Sequence, residues 1–202
     1  MRTLFVTNVG SHMWNMQRPD SDIDLFKCNI APTRDILSGD MHDHCHFSQN
    51  AGVDMQSGEI GKCVKMLIAG NVNYIWGVHS PIIVEDSEEL QELRALSTPS
   101  ANCFYSIRGL ALHNLNLEKK TKDTKHRKTI YRSIRFGVNI LEGKGYRFEK
   151  VEEPDIFLDD IQNVLKELED AKANTKLPEH PENEAKMIEW LVDLRIKELE
   201  KI

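Results

Sequence analysis

The chain has 202 residues, 40% hydrophobic and 29% charged, enough for one domain or a small domain with a helical appendage. That is ordinary globular usage, which excludes global disorder, and no apolar run reaches the ~20 residues of a membrane span. A net charge of −6 excludes a protein that coats nucleic acid by bulk electrostatics, though not one that takes an acidic ligand with its own metal. The four cysteines, Cys28, Cys45, Cys63 and Cys103, form no Cys-x-x-Cys pair. Scattered thiols suit a reducing compartment, so a soluble, cytoplasmic chain with no membrane partner is expected.

The first elements read as strands. Leu4-Phe5-Val6 is a short apolar run whose length fits a strand better than a secretory signal. Asp22-Ile23-Asp24-Leu25-Phe26 alternates acid and apolar residues, the period-2 pattern of a half-buried strand. A polar, histidine-rich loop is expected from about Ser38 to Gln49, then a third strand around Gly52-Val53-Asp54-Met55-Gln56.

Helices follow. Ile60, Cys63, Val64, Leu67 and Ile68 recur at helical spacing, with Ser57 as expected N-cap and Gly70 past the end. Ser87-Glu88-Glu89 opens a second helix. Cys103, Phe104, Ile107, Leu110 and Ala111 mark a third, and Ile130, Ile134, Val138 and Leu141 a fourth, ended by Gly143 or Gly145. Leu158, Ile161, Leu165 and Leu168 mark a fifth; Ile188 and Leu191 mark a last, highly charged one, after the break at Leu177-Pro178-Glu179-His180-Pro181. The fold class is therefore α+β, a small mixed sheet followed by a helical region. The expected division is a catalytic core over 1–86 and helices over 87–202, with one helix at about 123–142 and C-terminal helices at about 157–201.

The chemistry is carried by Gly10-Ser11 and, ten residues on, Asp22-Ile23-Asp24. Residues two apart on a strand share a face, so both carboxylates converge. Like charges held that close call for a cation, and hard oxygens suit Mg²⁺ or Mn²⁺. Two such ions stabilise the attacking and leaving oxygens of an in-line phosphoryl displacement. Gly10-Ser11 ends the first strand and opens a turn whose backbone N–H groups can cradle a phosphate. Metal and cradle together are what nucleotidyl transfer requires. Alone, Asp-x-Asp also describes a solvated strand edge, and Asp20 reads as a turn residue.

These residues resemble the signature of the DNA-polymerase-β-like nucleotidyltransferase superfamily: Gly10-Ser11, then Pro19-Asp20-Ser21-Asp22-Ile23-Asp24-Leu25. Gly70-Asn71-Val72-Asn73 before Ser80-Pro81, and Asp123-Thr124-Lys125-His126 with Arg132 and Arg135 beyond, are similar to one branch of it, which includes the RNA-repair-associated polymerase-β-like proteins. Asn15 stands where that branch commonly has glycine, and Val72 where it commonly has proline.

The resemblance implies a third acid on a neighbouring strand: Asp54, with Glu59 as the alternative. It also implies that Gly10 and Ser11 bind the nucleotide together with Lys125 and His126. Those last two belong to a basic island, since residues 119 to 135 hold eight Lys or Arg against one acid, Asp123. Lys125, Lys128, Arg132 and Arg135 step along one helical stripe, roughly opposite the Ile130–Ile134–Val138 face. The expected activity is metal-dependent transfer of an NMP from an NTP, bound between sheet and basic helix, to a hydroxyl acceptor. An RNA end, a protein or a small molecule would serve, and pyrophosphate would leave. The alternatives are a metal-dependent phosphohydrolase, although Phe26 stands where a D-x-D-x-T motif needs threonine, and a non-catalytic nucleotide- or RNA-binding protein of the same fold. His42, Asp43, His44, Cys45 and His46 carry zinc-type donors in no familiar zinc spacing, and read as a polar loop near the site.

Overall fold

The computed structural model describes residues 1–19, 21–39, 46–50, 52–150 and 158–200. Asp20 and the segment from His42 to Cys45 lie outside them. Among the described residues the fold is α+β, with one five-stranded mixed sheet and helices that dominate the second half.

The strands are β1 (Arg2–Asn8), β2 (Ile23–Ile30), β3 (His46–Asn50), β4 (Val53–Glu59) and β5 (Ile83–Glu85), in the order β3-β4-β2-β1-β5. β2 and β4 run parallel, and the other neighbours are antiparallel. The helices are α1 (Gly10–Met13), α2 (Thr33–Ser38), α3 (Ile60–Ile68), α4 (Val72–His79), α5 (Glu88–Leu96), α6 (Cys103–Thr121), α7 (Lys125–Leu141), α8 (Leu158–Asn174) and α9 (Glu184–Glu200).

The chain forms two compact units. The first comprises residues 1–68, 73–98 and 183–202, so the final helix belongs with the sheet; the second comprises 69–72 and 99–182. In the first unit, pairing of Thr7 with Phe26 and Phe5 with Cys28 places those four residues on one sheet face. All are buried, and Phe26 meets Tyr74 of α4 edge-on at 5.5 Å. Removing a side chain of that size from water stabilises the fold by roughly 2–3 kcal/mol. Thr7 Oγ1 donates to Gly77 O of α4 at 2.6 Å, so the buried hydroxyl is satisfied.

Several elements depart from their sequence pattern for identifiable reasons. The expected loop up to Gln49 contains β3, an edge strand that exists by pairing with β4; its Phe47 is 79% exposed, so no alternation announces it. Ser57 does not cap α3. It lies in β4, and Glu59 Oε2 accepts the Gly61 N–H at 2.6 Å instead. α4 is buried on several sides at Tyr74, Ile75, Trp76 and Val78, which erases the amphipathic stripe that would reveal it. On α9, Met187 and Leu194 are buried while Ile188 is 48% exposed.

In the second unit α7 packs against α6 and α8 and buries Ile130, Ser133, Ile134, Phe136, Gly137 and Ile140. Lys122 takes the left-handed conformation (φ 61°) that ends α6, and Asp123 Oδ1 accepts the Lys125 N–H at 2.9 Å to begin α7. Cys28, Cys63 and Cys103 are free and buried. No helix among the described residues is long and apolar enough to cross a membrane.

Candidate functional site at the end of the sheet

The parallel pairing of β2 with β4 sets Asp24 opposite Asp54, with Leu25 opposite Met55 and Ile23 opposite Val53. Register partners on adjacent strands project to the same face, about 4.8 Å apart. Asp24 and Asp54 are both half-buried. Asp22 precedes the strand, is exposed, and shares the Asp24 face by alternation. Its Oδ1 lies 3.6 Å from the place a Cβ would occupy on Gly52, whose carbonyl accepts the Ile23 N–H at 2.9 Å.

The turn after β1 closes over these acids. Val9 donates its N–H to Asp24 O at 2.7 Å, and Asn8 donates to Ile82 O at 2.9 Å. Ser80 Oγ donates to Asn8 O, tying the start of the turn to the Ser80-Pro81 segment. Gly10 has φ +64°, and a Cβ there would fall on the Asp24 carboxylate. Only glycine meets both conditions. α1 begins at Gly10, against the Asp24 carboxylate, and carries Ser11 as its next residue.

Asn15 follows Trp14 with φ 52°. Asparagine tolerates this left-handed region better than other side chains, which explains how it stands in a position where glycine is common among the chains it resembles. Trp14 is buried and packs edge-on against Trp76 at 5.6 Å, anchoring the turn. Val72, where proline was expected by resemblance, opens α4; its N–H donates to Ser106 Oγ at 2.9 Å, a bond proline would lack. Gly70 approaches Cys103 and Asn102 so closely that a Cβ would meet Cys103 N at 2.6 Å.

The two acids considered for the third position are separated by structure. Glu59 is five residues from Asp54, so it projects from the opposite face of β4. It is 6% exposed and ion-paired with Arg195 of α9. Its carboxylate also accepts the Ala31 N–H at 3.5 Å. Asp54 Oδ1, by contrast, is a buried oxygen with no hydrogen-bond partner. Asn8 Oδ1 and His12 Nε2 are also buried without one. Adjacency to Gly10-Ser11 was the only signal that sequence could offer for these two.

Carboxylate oxygens are the donor type that a hard divalent cation takes. Asp22, Asp24 and Asp54 supply carboxylate oxygens, and the orphaned Oδ1 of Asp54 has capacity for a ligand. Among the described residues, no group of three His, Cys, Asp or Glu side chains is gathered closely enough to hold a metal ion.

Lys125 and His126 lie on the second unit. Lys125 is exposed, with Nζ 3.3 Å from Asp123 Oδ2. The Lys125 backbone N–H and then its ammonium hold the Asp123 carboxyl below its ordinary range. Asn114 Nδ2 donates to Leu110 O at 2.9 Å, which turns Asn114 Oδ1 toward His126 Nδ1 at 3.0 Å. His126 therefore carries a proton on Nδ1, leaving Nε2 as its other hydrogen-bonding atom. Of the basic stripe, Lys125 and Arg135 are exposed, whereas Lys128 and Arg132 are half-buried. Arg127 is ion-paired with buried Glu118.

Comparison with known proteins gives one family. Residues 1–189 match the family described as RlaP, RNA repair pathway DNA polymerase beta family. No curated protein matches the chain. Among solved structures, the nucleotidyltransferase-like protein from Exiguobacterium sibiricum 255-15 is similar at 10% identity and a TM-score of 0.33, over 99% of this chain and 72% of its own.

Proposed function

Because the chain belongs to the RNA repair pathway DNA polymerase beta family, we propose that it transfers an NMP from a nucleoside triphosphate to a hydroxyl acceptor, using the Asp24–Asp54 end of the sheet. The observation that carries this reading is the in-register acid pair, roofed by a glycine turn that only glycine can form. Asp22, Asp24 and Asp54 would hold Mg²⁺ or Mn²⁺, which supplies charge neutralisation at the attacking and leaving oxygens.

The acceptor oxygen forms a bond to the α-phosphorus as the bond from that phosphorus to the bridging oxygen of the β-phosphate breaks. Pyrophosphate leaves with the electron pair. Asp54 Oδ1, which has no hydrogen-bond partner, would take the hydroxyl proton. Ser11 and the first N–H groups of α1, which have no intrahelical acceptor, hold the β- and γ-phosphates. Gly10 lets the backbone approach that closely. By resemblance to the family, Lys125 and His126 would also bind phosphate, Lys125 as a point charge. Catalysis comes chiefly from positioning and charge neutralisation.

The family's description makes an RNA end the first acceptor to test. A second reading, nucleotide binding without turnover, is favoured by the absence of a gathered three-ligand cluster among the described residues. The test is paired label transfer with Mg²⁺, using each NTP labelled at the α- or γ-phosphate, with RNA and the protein itself as acceptors. Retained α-label with released pyrophosphate, lost in Asp22→Ala, supports transfer. Release of inorganic phosphate instead supports hydrolysis, and tight Mg²⁺–nucleotide binding without either supports the binding reading. The absence of both binding and transfer overturns the proposed activity.

A further inference from the structure

The last helix turns an apolar stripe to solvent. Ile188, Val192, Ile196 and Leu199 are 48%, 50%, 49% and 39% exposed. Their spacings of four, four and three place them on one side of α9. The helix is anchored within its unit on another side, by Met187 and Leu194. Beside the stripe, α2, α3 and α9 enclose a groove of about 670 Å³ lined by Ile36, Met66 and Leu191 among others. Leu37, 75% exposed, stands at its rim. A contiguous apolar face of this kind marks a contact surface.

Charge decides what covers it. Lys62 and Lys65 of α3 line the groove on one side of the stripe. Rotation by ~100° per residue puts Glu189, Asp193 and Glu200 along its other side. There Asp193 and Glu200 share a second cavity with Glu88, Glu89 and Glu92 of α5, against Lys197. Across its width the face is therefore basic, apolar, then acidic. A uniformly acidic or uniformly basic partner would be repelled along one edge. A second copy of the same face is not.

We propose that a second copy of this chain covers the face, in a two-fold dimer whose axis runs along α9. That axis sets the acidic edge of each copy against the Lys62–Lys65 edge of the other. An axis across α9 would set like charge against like, so charge selects the arrangement with the two α9 helices parallel. None of these residues belongs to the proposed catalytic site, so the inference stands apart from the reaction.

Sedimentation equilibrium on the full chain tests it. The expected result is a concentration-dependent dimer whose Kd rises at least about 100-fold in Val192→Glu, Ile196→Glu, with an unchanged circular-dichroism spectrum. Lys62→Glu, Lys65→Glu should weaken it about tenfold or more. Mixing that variant with Glu189→Lys, Asp193→Lys should restore association between the two. A second measurement reads the axis: with it along α9, Ile188→Cys and Ile196→Cys each form a disulfide with their own counterpart, at both ends of the stripe. A chain that stays monomeric, a dimer indifferent to Val192→Glu and Ile196→Glu, or cross-links pairing position 188 with 199 would overturn the proposal.

Discussion

The two ends of β4 each carry an acid, and the fold treats them in opposite ways. At the far end, Glu59 is enclosed: Arg195 pairs with it, the Gly61 N–H donates to it at 2.6 Å, and Ala31 N–H at 3.5 Å. Both of its oxygens are used within the protein. At the near end, Asp54 faces Asp24 across the parallel pair and keeps a buried oxygen with no partner. Leaving a buried polar atom unsatisfied costs about 1–3 kcal/mol. Glu59 is thus explained by folding alone, whereas folding leaves an oxygen of Asp54 unpaired, which the proposed ligand would satisfy.

The comparison can be broken first at the near end. Asp22→Ala or Asp24→Asn should lower transfer roughly 1,000-fold, about 4 kcal/mol of transition-state stabilisation, while the melting temperature holds or rises. Comparable activity in either variant would remove the acid pair from the chemistry.

At the far end the effect should fall on stability. Glu59→Ala leaves the part-buried Arg195 with Ala31 O but no carboxylate, and should cost about 3 kcal/mol in a denaturant titration. Asp54→Asn in the same experiment should move stability by less than about 0.5 kcal/mol. Equal losses at both positions would erase the distinction.

His79 supplies a third environment, a buried group whose charged form is excluded. Burial first, and then the Arg94 charge, hold its pKa down to about 3 from an ordinary 6.5, against a smaller opposing effect of a backbone hydrogen bond with Ser97. The unfolded chain therefore takes up this proton before the folded one. The stability present above pH 6.5 should be lost as pH falls toward about 3, by about 1.4 kcal/mol per pH unit. His79→Gln should flatten that part of the stability–pH curve, and an unchanged slope would assign it to the carboxylates.

The smallest effect is expected at Lys125. Its pairing with Asp123 is exposed and worth little to folding. Lys125→Ala should raise the nucleotide KM a few-fold and change kcat less, as loss of uniform phosphate binding does. Steady-state kinetics showing an unchanged KM would return it to an ordinary solvated face.

How much of this was legible depended on the range of the interaction. The alternation at Asp22-Ile23-Asp24 and the Gly10-Ser11 pair were readable because each is a relation between near neighbours, and their resemblance is to the family the chain belongs to. The α3, α6 and α7 helices showed in their apolar spacing. β3 and β5 did not show, since one carries an exposed Phe47 and the other spans three residues. The basic stripe was only half legible. Its spacing is present in the sequence, but burial of α7 on more than one side leaves Lys128 and Arg132 half-covered.

The sequence by itself determined the local terms: an α+β chain, two acids on one strand face, a glycine turn before them, and a basic helix. Only the tertiary structure decided that β2 and β4 pair in parallel with Asp24 opposite Asp54, that Glu59 turns away to Arg195, and that α9 joins the sheet-bearing unit. Side-chain periodicity is a property of a few consecutive residues. Strand register is a choice among pairings distant in sequence, and a slip of one residue would have moved Asp54 to the other face of the sheet.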